Sequence, residues 1–121
     1  MIVKKLRQVY VVARDLEAQS RFYAETLGLA LQFRDGDRWV QFQAGDASFA
    51  LSSAAEGDGA PPGVAIPVFE VEDLDAATRE LSAAGRAPGA IRDMGDHGRT
   101  AMVVDPGGAR LVLFQRARRS G

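Results

Sequence analysis

The sequence predicts an α+β fold: two tandem βαβββ modules forming a curled mixed sheet with a ligand cleft. Three observations predict it. A strand-like segment runs into an Asp-capped helical segment twice, at Asp15-Leu16 and at Asp73-Leu74. Each helical segment ends on a glycine, Gly28 and Gly85. The last strand-like segment of each half repeats one alternation, Gly45, Ala47, Phe49, Leu51 against Gly107, Ala109, Leu111, Leu113. The two Asp-Leu pairs lie 58 residues apart and the two last strands 62 apart, so the second half carries four extra residues in its middle. A pattern written twice in this way marks an internal duplication.

Taken in order, Leu6–Ala13 is β-branched, aromatic or apolar apart from Gln8, and reads as a strand. Asp15 then sits where a helix N-cap belongs, and Leu16, Phe22, Tyr23 and Leu27 give a helix one apolar side up to Gly28. Leu29–Phe33, Trp39–Gln43 and Ala47–Ser52 read as three strands, divided by the turn signals Asp35-Gly36-Asp37 and Gly45-Asp46. Residues 54–63 are too rich in Gly and Pro to continue either element and form the linker. The order then restarts: a strand at Val64–Val71, and a helix capped by Asp73 with Leu74, Ala77, Leu81 and Ala84 on its apolar side. A weaker strand follows around Ala87–Arg92, then strands at Arg99–Val104 and Ala109–Gln115. The last two are joined by Asp105-Pro106-Gly107-Gly108, where Pro presets φ and Gly permits the positive φ of a type II turn. The expected organisation is one domain over 1–121, with modules at 1–53 and 64–116 and a tail at 117–121.

Composition narrows the function classes. At 121 residues and 46% hydrophobic content the chain can bury one core. Fifteen Lys and Arg nearly balance sixteen Asp and Glu, so no field gathers nucleic acid or an anionic membrane. The basic residues Arg116, Arg118 and Arg119 read as a solvated end, too small a surface for nucleic acid. With no cysteine there is neither a disulfide, a thiolate metal site nor a cysteine nucleophile, a composition at home in a reducing compartment; the expected location is cytoplasmic. The apolar run Val9–Ala13 is too short for a signal core, and no stretch approaches the roughly 20 residues of a membrane span. The expected partner is a small organic molecule.

Strand alternation sorts side chains into a set that meets the helices and a set that faces away. Val9, Val11, Ala13, Val40, Phe42, Phe49 and Leu51 fall in the helix-facing set, leaving Gln8, Tyr10, Val12, Trp39, Gln41, Gln43, Ala50 and Ser52 opposite. In the second half Ala65, Pro67, Phe69, Val71, Met102, Val104, Leu111 and Leu113 are assigned to the helix side. Ile66, Val68, Glu70, Arg99, Ala101, Val103, Val112 and Phe114 are left opposite. The rings of Tyr10, Trp39 and Phe114 beside Gln8, Gln41, Ser52, Arg99 and Val112 make the mixture that lines an organic-ligand site. The competing reading is that these rings plug a barrel interior or lie under a second subunit. His97, the only histidine, sits beside Asp96 in a loop and is a candidate for general acid or base chemistry, with an idle exposed imidazole as its alternative; Tyr10 and Glu70 are the other residues that could transfer a proton.

The order strand, helix, three strands, twice, with Asp15-Leu16, Arg21-Phe22-Tyr23, Leu27-Gly28-Leu29 and the turn at Asp105-Pro106-Gly107-Gly108, resembles the vicinal oxygen chelate superfamily of glyoxalases, bleomycin-resistance proteins and dioxygenases. Gly107 and Ala109 stand where that family usually has Asp and Asn. The resemblance implies that enzymes of the family hold a divalent metal on four side chains, one on the first and one on the last strand of each half. The corresponding positions here are Gln8, Ala50, Ile66 and Val112, of which only Gln8 carries a donor. The resemblance therefore implies a metal-free, cofactor-free binding protein, a homodimer that sequesters an aromatic or drug-like molecule as antibiotic-resistance members do. Its stacking platform would be Trp39. The alternative is an enzyme of the same fold, of lyase, isomerase or dioxygenase type, acting without metal or through other ligands.

Overall fold

A computed structural model describes residues 2–57 and 59–117. Asp58 of the expected linker, and Arg118 and Arg119 of the expected tail, lie outside the described residues. The elements are β1 (Val3–Val12), α1 (Leu16–Arg21), β2 (Ala30–Asp35), β3 (Trp39–Ala44), β4 (Ala47–Ser52), β5 (Ala65–Val71), α2 (Leu74–Ala83), β6 (Arg92–Asp93), β7 (Arg99–Val104) and β8 (Arg110–Gln115). This is the βαβββ order twice in a mixed α+β architecture, as expected. Among the described residues no helix is long and apolar enough to cross a membrane.

By contact the chain divides into two compact units. The first is Gln8–Ile66 and the second holds the other described residues.

In the first unit the strand order is β2-β3-β4-β1. β1 runs parallel to β4, with Gln8 opposite Ser48, Tyr10 opposite Ala50 and Val12 opposite Ser52. β3 pairs antiparallel with β4 and with β2. Asp15 caps α1 as predicted: its side chain accepts from Ala18 N at 3.1 Å. Gln19 Oε1 supports the entry, accepting from Arg14 N and Asp15 N at 2.9 Å each. The single helix expected up to Leu27 is instead six α residues followed by a π-turn, Phe22–Thr26, in which Leu27 N reaches back five residues to Phe22 O. Tyr23 in that turn packs on Phe49 at 4.5 Å and on Phe42 at 6.2 Å between ring centroids. The core is the helix-facing set read from alternation: Val40, Phe42 and Leu51, joined by Val11, Ala13, Leu16, Tyr23, Leu29 and Phe49.

In the second unit the order is β5-β8-β7-β6, with β5 parallel to β8 and the other pairs antiparallel. Asp73 caps α2 with the geometry of Asp15, φ −138° against −137°, accepting from Ala76 N at 3.0 Å. The first amide of this helix, Leu74 N, donates to buried Gln115 Oε1 at 2.7 Å, which ties α2 to the end of β8. Leu74, Ala77 and Leu81 bury the predicted side of α2 against Val71, Ala101, Val103 and Leu113.

Three local expectations are corrected here. Ala101 and Val103, not Met102 and Val104, meet α2, because Ala101 pairs directly with Leu113 and so shares its face. The strand expected over Ala87–Arg92 is only Arg92–Asp93, since Pro88 brings no N–H and Gly89 N already bonds Met102 O at 2.9 Å. In the β7–β8 turn the positive φ falls on Gly108, at 92°, rather than on Gly107, and Asp105 Oδ1 accepts from Gly107 N and Ala109 N at 2.8 and 2.9 Å.

Glu70 is 2% exposed and charged. Arg7 Nη1 and Arg116 Nε donate to its Oε1 at 3.0 and 3.2 Å, Lys4 Nζ lies 3.6 Å from Oε2, and the Arg7 guanidinium stacks 4.3 Å above the Phe114 ring. Burial alone pushes the Glu70 carboxyl up, but Arg116, Lys5 and Arg7 together outweigh it and hold the group below its usual 4.5. A depressed carboxyl stabilises the fold fully above the unfolded value and loses that contribution as pH falls through the folded value.

Two outcomes follow. Glu70→Gln lowers the melting temperature at pH 7, and the difference from the parent shrinks as pH falls below 4.5, so the acid limb of its Tm-against-pH curve is flatter than that of the parent. A Cβ on Gly98, at φ 91°, would collide with Gln115 O and stand 2.9 Å from the Phe114 ring. Gly98→Ala therefore costs about 2–5 kcal/mol from combined backbone strain and overpacking, read as a lowered urea midpoint with unchanged slope; a midpoint within error of the parent contradicts the packing described.

Candidate functional site

The face of the first unit turned away from α1 carries five of the eight residues expected to bind ligand: Gln8 and Tyr10 on β1, Trp39 and Gln41 on β3, and Ser52 on β4. The register brings them together. Ala50 lies opposite Tyr10 on one side and Gln41 on the other, and Ser52 opposite Val12 and Trp39. The methyl group of Ala50 leaves the space above β4 open, and across it Gln8 Nε2 donates to Gln41 Oε1 at 3.1 Å. The indole Nε1 of Trp39 donates to the same oxygen at 3.0 Å.

From Gln41 the chain of bonds continues outward. Gln41 Nε2 donates to Gln32 Oε1 at 3.1 Å, and Ser48 Oγ donates to that same oxygen, also at 3.1 Å. Gln32 and Ser48 were not among the expected site residues. Ser48 stands two positions before Ala50, so alternation along β4 was the signal for it. Gln32 carried no such signal, because the β2–β3 register shifts between Leu31 and Phe33 and a bulge sets the faces there.

Tyr10 closes the inner side. Its ring is 4.9 Å from that of Trp39 at 55°, and its hydroxyl reaches Glu56 O at 3.5 Å. Tyr10 and Ser52 are 4% and 0% exposed, so the accessible part of this wall is Trp39, Gln41, Gln43 and Ser48, with Gln32 and Phe33 beside them on β2, Phe33 standing opposite Gln41. Ser52 Oγ is buried and has no hydrogen-bond partner among the described residues, an arrangement that costs about 1–3 kcal/mol.

The other expected contacts belong to the second unit. Val112 and Phe114 share a face of β8, opposite Val68 and Glu70 of β5, and the Phe114 ring is occupied by Arg7. Arg99 stands on the other side of its strand from the expected one. It shares the face of Ala101 and makes two bonds of 3.1 Å to Asp75 on α2, which hold its pKa above the usual value chiefly through those hydrogen bonds. His97 is exposed on a 3-10 turn, Gly95–His97.

The four positions that the resemblance marks for metal do not fit a divalent cation. Three are hydrocarbon, Ala50, Ile66 and Val112, and the amide of Gln8 turns its Nε2 to Gln41. Among the described residues no three His, Cys, Asp or Glu side chains converge elsewhere. No chemical step is drawn through a metal.

Comparison with known proteins accords with the duplicated fold. A profile of the Glyoxalase/Bleomycin resistance protein/Dioxygenase superfamily matches residues 5–113. A protein of Mycolicibacterium smegmatis, described as uncharacterized, is 32% identical over 117 residues, covering 95% of this chain and 97% of that one. Among solved structures, methylmalonyl-CoA epimerase from Mycobacterium tuberculosis superposes with a TM-score of 0.72 at 22% identity, over 97% of this chain and 91% of that one. An extradiol ring-cleaving dioxygenase from B. fuscum superposes with a TM-score of 0.74 at 18% identity, over 99% of this chain but 34% of its own. With the family profile spanning nearly the whole chain and both helix caps repeating in the structure, the protein belongs to the glyoxalase/bleomycin resistance protein/dioxygenase superfamily.

Proposed function

We propose that this chain is a cytoplasmic, metal-free binding protein that holds a planar aromatic metabolite or drug-like molecule against the β1-β4-β3 face of its first unit, sequestering it unchanged. One observation carries the proposal: Trp39 is braced by the protein itself, its indole N–H bonded to Gln41 Oε1 and its ring packed against Tyr10. A ring so braced loses little conformational freedom on binding, so stacking energy is retained as affinity. Gln41 beside it offers the polar group that orients a ligand, with Gln8 bonded behind it and buried Ser52 at its inner side. A homodimer completes the reading. It is supported by β2, which lies at the end of its unit's strand order and exposes Leu31 and Phe33 at 58% and 42%.

An enzyme of the superfamily is the alternative, favoured by the fold's likeness to an epimerase and to a ring-cleaving dioxygenase. It would be marked by conversion of the bound molecule to product.

Trp39 is the only tryptophan, so the platform reports on itself. A panel of planar natural products should quench its fluorescence saturably and raise the melting temperature by mass action. Trp39→Ala should weaken the best-bound member roughly tenfold or more, the scale of one lost aromatic stack with its buried area. An undiminished thermal shift in the variant would remove Trp39 from the site.

A further inference from the structure

An indole N–H only donates, whereas a primary amide presents oxygen at one end and N–H at the other. Trp39 Nε1 lies 3.0 Å from one end of the Gln41 amide, so that end is the oxygen. The orientation then propagates. The Gln8 group 3.1 Å from Gln41 Oε1 must be a donor, its Nε2. The Gln41 end facing Gln32 must be Nε2, and the Gln32 end that receives it, 3.1 Å away, must be Oε1. Three amides that could each point either way are thus set by a single ring.

The consequence is a single polarity beside Trp39. Gln41 Oε1 already accepts twice, from Trp39 and Gln8, and Gln32 Oε1 accepts twice, from Gln41 and Ser48. The second N–H of Gln41 and both N–H groups of Gln32 remain without protein acceptors among the described residues. Of these three amides the one oxygen left over, Gln8 Oε1, belongs to a residue only 8% exposed at the inner end. The exposed Gln43, whose Nε2 donates to Gly45 O, also offers an oxygen on this face, but it stands at the other end of β3 from Trp39.

We propose that the accessible wall beside Trp39 reads a hydrogen-bond acceptor: its ligands are planar aromatic molecules bearing a carbonyl or ring-nitrogen acceptor on the edge that faces β3 and β2, and molecules presenting an N–H there are rejected. This rests on the aromatic-binding reading above and adds its polarity. The Trp39 N–H is the specificity-setting group although it need not touch the ligand, because it decides which end of Gln41 is offered.

Three planar tricyclic probes of nearly one size test this: 9-fluorenone, which only accepts, carbazole, whose N–H only donates, and fluorene, which does neither. Titrated by Trp39 fluorescence quenching and by thermal shift, the protein should bind fluorenone about tenfold more tightly than carbazole, the ratio set by one unmade buried hydrogen bond. Trp39→Phe keeps a stacking ring but removes the N–H. Its affinities, read by thermal shift, should converge to within about threefold as Gln41 becomes free to turn. Side-chain amide signals in nitrogen-15 NMR give a second measurement that needs no ligand: those of Gln8 and Gln41 should be sharp and distinct in the parent and averaged in Trp39→Phe. If all three probes bind equally well, or carbazole binds best, the polarity inference is overturned while the aromatic-binding reading stands. If none binds, that reading falls and takes the inference with it.

Discussion

The bonding of the first unit's polar wall descends from one contact, the 3.0 Å hydrogen bond from the Trp39 indole to Gln41 Oε1. It does two things at once. It holds a large ring in a single orientation, and it orients an amide whose two ends would otherwise be interchangeable. A side chain of smaller reach on β3, or one larger than methyl at Ala50 on β4, would separate Gln8 from Gln41 and leave polar groups at the inner end of the wall to find other partners. The network is therefore a packing result as much as a polar one: residues two strands apart meet because the strand between them carries almost no side chain there.

Duplication explains the frame on which this wall stands, and divergence explains its chemistry. The two Asp caps share backbone angles within a few degrees, and in each half the first strand runs parallel to the last. Upon that common frame the halves have taken different solutions. The first places amides and two rings on the face away from its helix. The second places Val68, Val112 and Phe114 there with the buried Glu70 carboxylate, which four cationic side chains accommodate. At three of the positions that the resemblance marks for metal, Ala50, Ile66 and Val112 bring hydrocarbon, and the small size of Ala50 lets Gln8 reach Gln41.

Much of the polar face that carries the candidate site was legible residue by residue, and the places where it was not have physical causes. Gln8, Tyr10, Trp39, Gln41 and Ser52 were readable as one face because β1, β3 and β4 keep strict alternation over the stretches concerned. Gln32 was hidden by the bulge on β2, which changes the side of the sheet without any mark in residue type. Arg99 was assigned to the wrong side because Met102 and Val104 are larger than Ala101 and Val103 and look more like core. The pairing of Ala101 with Leu113 reverses that, and the space under α2 takes the smaller pair. The π-turn at Phe22–Thr26 was likewise silent, since an apolar pattern does not distinguish a reach of four residues from one of five.

Local chemistry determined the caps, the turns, the order of elements and the duplication, since each depends on residues within one turn or one strand: an Asp ahead of a helical run, a Gly after it, alternation along a segment. These were settled by the amino-acid sequence alone. Only the tertiary structure decided which groups share a hydrogen bond, which end of each amide faces outward, and which hydroxyl, that of Ser52, is buried without a partner among the described residues. Those outcomes depend on register and on the volume of a neighbour two strands away, and strand pairing joins residues that no pattern along the chain connects.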